Sequence, residues 1–275
     1  MKKISYCLRE LYKRVGEHNL TSYSAQMAYF FLLSIFPFLI LLFAILGKLS
    51  ITYDLASMAY MQIVPPEAYV IIDGYIEQLL DAKIETVLPI SLIASLLTAS
   101  RAMNALERAF NQAYEVSQPR KFIYGRVIGV LMTAMVMVVL IIALTLPSMG
   151  SSFLEFVQKW TLLGEGFKQL IFYGRWLVML GVFGFALTVI YMVLPNKKLR
   201  LDSVLPGVVV TMIGLMVLSA GFSYFIQSFS NISFVYGSLG AVITLMVWLY
   251  FVGILLMLGA ELNAVLLKWH KEHRS

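Results

Sequence analysis

Residues 203–260 run for 58 positions without a single Lys, Arg, Asp or Glu. As one helix this stretch would be about 87 Å long at about 1.5 Å per residue. A bilayer core is only about 30 Å thick and takes about 20 apolar residues per crossing. The stretch therefore predicts two membrane helices with a turn between them, near Ser228–Ser233. Three more charge-free runs follow the same logic: residues 18–47, 127–154 and 176–196. Only 13% of the chain is charged and 60% is hydrophobic. A soluble domain carries about 25% charged residues, and a disordered chain has low hydrophobicity and high net charge, so both classes are excluded. The chain reads as an integral membrane protein.

One further span is less obvious. Residues 86–100 give 15 charge-free positions, about 22 Å of helix. Extending the run to Leu106 reaches a crossing length but takes in Arg101, which can snorkel from near a helix end. The alternative is a re-entrant segment. Charge distribution favours a full span. With six crossings, near 26–47, 86–106, 125–146, 174–195, 205–227 and 236–267, the inside segments carry 16 Lys and Arg and the outside segments 4, with Arg175 at an outer helix entrance. That bias matches the positive-inside rule and predicts an all-α, polytopic fold. Both termini are then cytoplasmic, and residues 1–275 form a single membrane domain. The net charge of +6 follows from these basic loops and does not require a nucleic-acid partner.

Short amphipathic helices are predicted between the spans. At the N-terminus, Ile4, Leu8, Leu11, Tyr12 and Val15 recur at helical spacing among Lys2, Lys3, Arg9, Lys13 and Arg14. This is the pattern of a helix lying on a leaflet; it serves either as a topology anchor or as a site for anionic lipid. Outside, Pro65-Pro66 precedes an apolar face of Ile72, Tyr75, Ile76, Leu79 and Leu80, and Ser152-x-x-Glu155 has the form of a capping box.

Glu261 is the residue with most chemical content. It lies seven residues before Lys268, about 10 Å inside the end of the sixth span. A carboxylate at that depth costs a few kcal/mol unless it is paired, protonated or hydrated. Arg101 lies at a comparable level on the second span, so the expected pair is Glu261 with Arg101, and Asn104 and Asn263 nearby. Such a cluster either lines a pathway or clamps helix register. Gly207, Gly214 and Gly221 recur every seven residues and predict a face for close helix packing. Pro37, Pro89 and Pro206 lie in or near spans, where they can kink a helix.

Catalytic signatures are missing from the sequence. There is no Gly-x-x-x-x-Gly-Lys-Ser/Thr, His-Glu-x-x-His or Gly-x-Ser-x-Gly, the patterns of nucleotide, zinc and acyl-transfer sites. His18, His270 and His273 with one cysteine, Cys7, make no metal framework. Neither a catalytic residue, a metal site nor a cofactor is expected.

Several segments together resemble the YihY/BrkB family of bacterial inner-membrane proteins: Ala28-Tyr29-Phe30-Phe31-Leu32-Leu33-Ser34-Ile35-Phe36-Pro37, Ser100-Arg101-Ala102-Met103-Asn104-Ala105-Leu106, Tyr191-Met192-Val193-Leu194-Pro195-Asn196, Tyr236-Gly237-Ser238-Leu239-Gly240-Ala241-Val242 and Gly259-Ala260-Glu261-Leu262-Asn263-Ala264. Leu205-Pro206-Gly207 also matches, although Val208 stands where the pattern has Ala. The resemblance covers residues 20–268 and implies a six-helix protein of the bacterial inner membrane. Members have carried a ribonuclease label, yet the three histidines here form no His-x-His-x-Asp-His cluster. The resulting expectation is a transporter or exporter of a lipid or other amphiphile, an ion or a small solute, with the bilayer as partner and a homo-oligomer open. The alternatives are a non-transporting scaffold and, from a second class, a hydrolase.

Overall fold

The structure, a computed structural model, describes residues 2–48, 84–116, 123–139, 142, 165–228 and 238–272. All regular structure among them is helical. The helices are α1 (Lys2–Glu17), α2 (Leu20–Lys48), α3 (Ile84–Ala113), α4 (Ile123–Val139), α5 (Glu165–Val193), α6 (Leu201–Ser228) and α7 (Ser238–Glu272). Each of the six predicted spans overlaps one of α2 to α7. The second is an unbroken helix of 30 residues that runs through Pro89 and past Arg101. The outer helices expected around Pro65–Asp81 and Ser152–Trp160, and most of the turn at Ser228–Ser233, lie outside the described residues.

Two described stretches, Leu201–Phe225 in α6 and Val242–Glu272 in α7, are long and apolar enough to cross a membrane. Only 22% and 28% of their most apolar windows are buried inside the protein. The core helix of a soluble protein would be mostly buried. Here Val209, Val210, Ile213, Met216 and Val217 of α6 are exposed, so the helix is apolar outward as well as inward, as a lipid solvent demands.

The chain divides into two compact units, one of Met1–Ser34, Leu97–Thr133 and Gly184–Ser275, the other of Ile35–Leu96 and Ala134–Phe183. The first unit holds the polar interior. Its α3 segment carries Ala102, Ala105, Ala109 and Ala113, all fully buried. Their spacing of three and four residues puts them on one face, where small side chains let other helices come close. Phe110 fills the space beside them and stacks on Tyr191 of α5 at 4.9 Å.

α6 and α7 cross at a glycine contact. A Cβ on Gly207 would overlap the Asn263 amide and the Gly259 carbonyl oxygen, and one on Gly259 would overlap the hydroxyls of Tyr191 and Thr211. Gly214 extends this contact, since its Cβ would stand 2.7 Å from Leu255 Cδ2. Gly221, predicted to share the same face, has open space within 4 Å among the described residues.

Candidate functional site

Glu261 is completely buried, and so is Asn263 two residues on. Glu261 lies within the apolar Val242–Glu272 stretch, so its charge must be answered from another element. The answer comes from α1. Arg14 Nη1 donates to Glu261 Oε2 at 3.3 Å, and His18 Nδ1 meets Glu261 Oε1 at 2.5 Å. Both carboxylate oxygens are thus engaged, by residues more than 240 positions away in sequence.

Local backbone geometry delivers these two partners. Cys7, Arg14 and His18 are buried and Leu11 is half-buried. Their spacing of i, i+4, i+7 and i+11 makes one helix face, so the inward face of α1, continued into the turn after it, carries Arg14 and His18. The helix closes at His18, whose amide bonds to the Arg14 carbonyl at 2.9 Å. Asn19 then turns the corner in the left-handed region (φ 51°), where Asn is among the better tolerated residues. The amides of Ser22 and Tyr23 bond back to the Asn19 carbonyl, and α2 begins at once. A two-residue junction fixes His18 against α7.

Arg14 also ties α1 to the end of α3. That helix ends in a Schellman motif: Val116 N bonds to Asn111 O at 2.9 Å and Glu115 N to Gln112 O at 3.0 Å, with Glu115 in the left-handed region (φ 52°). Glu115 returns its carboxylate to Arg14 Nη2 at 2.6 Å, and Arg14 Nη1 donates to the Ala113 carbonyl at 3.1 Å. Lys197 Nζ donates to the Tyr114 carbonyl at 3.2 Å. Two cations therefore satisfy the last carbonyls of α3, where the helix dipole is negative. Burial opposes the Arg14 charge, yet Glu261 and Glu115 hold its guanidinium above the ordinary value. Burial pulls the Lys197 ammonium down, helped by Lys271, while Glu115 opposes the shift.

A polar line continues inward from Glu261. Asn263 Oδ1 accepts from the Gly207 amide at 2.7 Å, an acceptor for the backbone N–H that follows Pro206. The Asn263 amide nitrogen and the buried Tyr114 hydroxyl lie close together without a hydrogen bond of good geometry. Burial raises the Tyr114 phenol above its ordinary value; the Asn263 amide opposes this and the charge of Glu261 adds to it. Tyr191 donates to the Leu256 carbonyl at 2.8 Å and shares a 2.7 Å hydrogen bond with Thr211.

Two of the four predicted cluster residues therefore stand in this site and two do not. Glu261 and Asn263 are at its centre. The pair expected between Glu261 and Arg101 is corrected: Glu261 bonds to Arg14 and His18, while Arg101 is exposed on α3. Asn104 is half-buried and faces α4, where its Oδ1 would lie 2.8 Å from a Cβ on Gly129. Arg14, His18 and Tyr114 are the functional residues that sequence reasoning missed. The 7-11-14-18 spacing was the available signal for the first two. Among the described residues, no three His, Cys, Asp or Glu side chains gather as a metal site.

Comparison with known proteins adds identity to this geometry. The family described as Virulence factor BrkB matches residues 11–275. The ribonuclease-like protein YfkH of Bacillus subtilis (strain 168) is 37% identical over 268 residues, covering 96% of each chain. A UPF0761 membrane protein of Chromohalobacter salexigens is 27% identical over 97% of this chain and 63% of its own length. One from Alteromonas mediterranea is 23% identical over 94% and 88% respectively. No solved structure matches. With its family matched over nearly the whole length, and relatives named as membrane proteins, the chain belongs to the BrkB family of membrane proteins.

Proposed function

We propose that this protein crosses the bacterial cytoplasmic membrane six times with both termini inside, and transports or exports an ion, a small solute or an amphiphile without catalytic chemistry of its own. One observation carries the reading: Glu261 is a fully buried carboxylate within an apolar α7 stretch, held by a titratable histidine and an arginine from a different helix. Ionisable groups at such depth are costly, and in transporters they mark ion and proton pathways. In the described state α1 closes the carboxylate off, so an open state requires α1 to move. Alternating access needs two such states.

The name of YfkH includes a ribonuclease-like activity. For this chain a hydrolase is the weaker reading. Hydrolysis of a phosphodiester needs water at an acid–base pair or a metal, whereas both Glu261 oxygens are occupied by side chains inside the bundle.

The scaffold reading has its own support. The complete pairing of Glu261 and the glycine crossing of α6 on α7 would both fix helix register. Reconstitution separates the two. Purified protein in liposomes, assayed for ion leak, proton uptake and flip of a fluorescent phospholipid, is expected to show a flux that Glu261→Gln abolishes. Equal signals from protein-containing and empty liposomes in all three assays would leave the scaffold. Fusions of a cytoplasm-active and a periplasm-active reporter to Ser275 test the topology; activity of the periplasmic reporter would overturn it.

A further inference from the structure

The outward face of α1 is unlike its inward one. Leu8 is 64% exposed, Tyr12 86% and Val15 is exposed as well, at the i, i+4, i+7 spacing of a single stripe. Arg9 and Lys13 flank them and are exposed. Lys13 faces Glu17 at 3.7 Å, both side chains more than half exposed, while Arg9 has no ion pair among the described residues. Arg14 and His18 face the protein, while Leu8, Tyr12 and Val15 face away, bordered by Arg9 and Lys13. Burying Arg14 and His18 on Glu261 leaves the apolar stripe no protein surface to cover.

The level of this helix is set by α7. Tyr6 packs on Trp269 with ring centroids 4.8 Å apart, and Lys268 reaches Glu10 at 3.4 Å. Trp269 and Lys268 lie at the end of the apolar Val242–Glu272 stretch. Aromatic rings beside basic residues at the end of a span occupy headgroup depth. α1 packs on that end, so its outward stripe and its two flanking cations meet the same zone.

We propose that the Leu8–Tyr12–Val15 face of α1, with Arg9 and Lys13, docks on the anionic headgroups and upper acyl chains of the adjacent leaflet. A bilayer is the occupant favoured over a second copy of the chain because the apolar stripe is narrow, its borders are cationic and it sits at the membrane surface. The helix is then gripped from two sides, by lipid outside and by Glu261 inside. This inference stands whether or not the protein transports anything.

The test uses the full chain in nanodiscs with Cys7→Ser and Tyr12→Cys, labelled with an environment-sensitive fluorophore. The lipids are phosphatidylcholine alone or mixed with phosphatidylglycerol, each with a headgroup-proximal spin-label quencher. Blue-shifted, quenched emission that strengthens with phosphatidylglycerol is the expected result. It should weaken as salt rises from about 0.1 M to about 1 M, where the screening length falls from about 10 Å to about 3 Å. Arg9→Gln and Lys13→Gln should each lower the docked-to-undocked ratio about fivefold. A label at Gly16, exposed one turn on with open space around it, repeats the measurement with Tyr12 intact. Water-like, unquenched emission at both positions would overturn the proposal, and so would equal quenching in both lipid mixtures. Energy transfer between labels on two copies, at the expense of lipid quenching, would assign the face to self-association and overturn it too.

Discussion

Replacing Arg14 by Met removes one of the two side chains that bond to Glu261 and keeps most of the side-chain volume. The cost can be worked from the contacts. The bridge to Glu115 involves a carboxylate side chain that is 61% exposed, so it is worth at most about 1 kcal/mol. The contact with Glu10 is an i,i+4 pair within α1, worth about 0.3–0.5 kcal/mol. The Glu261 contact dominates, because stripping one partner from a buried ion pair costs about 3–5 kcal/mol. Taking about 3 kcal/mol, the population with α1 undocked rises roughly 100-fold. The chain supplies its own probe: its one cysteine, Cys7, is buried on the inward face of α1. Where a thiol reagent reacts only after undocking, its rate on Cys7 should rise by the same roughly 100-fold in Arg14→Met. Glu17→Gln breaks only an exposed pair with Lys13 and should stay within about twofold. Arg14→Met with Glu261→Met removes both charges and should recover most of the loss, as apolar replacement of buried pairs does. A rise below about threefold in Arg14→Met, or a double variant that labels as fast as the single one, would refute this account of the clamp.

Further expectations follow from the same contacts. Burial raises Glu10, but Lys268 and Arg14 outweigh it and hold the carboxyl below its ordinary value. Its contribution to α1 docking is therefore full above the ordinary carboxylate value of about 4.3 and is lost as pH falls through the lower folded value. Labelling of Cys7 by a disulfide reagent that works in acid should accelerate below about pH 4, and Glu10→Gln should remove part of that dependence. Gly207→Val forces a side chain into the Asn263 amide and the Gly259 carbonyl; overpacking of this kind costs about 1–3 kcal/mol, read as a lower melting temperature in detergent. Gly221→Ala has open space and should leave that temperature unchanged or raise it. Tyr191→Phe strips the hydroxyl from Thr211 and the Leu256 carbonyl and should cost about 1–3 kcal/mol in the same assay.

Helix positions were legible in the sequence because charge and its absence are one-dimensional signals. Charge-free runs place α2, α4, α5, α6 and α7, and the extension past Arg101 places α3. Glu261 was legible for the same reason: its depth can be counted from Lys268. Its partners were not. Depth is one coordinate, and pairing also needs the direction in which each side chain leaves its helix. Arg101 satisfies the first condition and fails the second. Arg14 and His18 were hidden by composition, because a helix with five basic residues near a terminus reads as a solvated anchor. The leaflet reading places Leu8, Leu11, Tyr12 and Val15 together; Leu8, Tyr12 and Val15 are exposed, whereas Leu11 is half-buried on the face that carries Arg14 and His18 to the buried carboxylate. Gly221 shows the limit of periodicity: the seven-residue repeat finds candidate contact positions, but among the described residues only Gly207 and Gly214 of the three have a neighbour that a Cβ would meet.

The two-residue junction between α1 and α2 makes α1 a lever rather than a tethered flap. Its fulcrum is Asn19, and its far end, near Lys2, lies about 24 Å away along the helix. A swing of about 20° about that point moves the far end by about 8 Å, Arg14 by about 3 Å and His18 by very little. The two halves of the grip on Glu261 therefore release in sequence: Arg14 parts from the carboxylate while His18 still holds it. A small force applied where Tyr6 meets Trp269 is multiplied at the fulcrum, so the far end of α1 controls whether Arg14 joins His18 at the buried carboxylate.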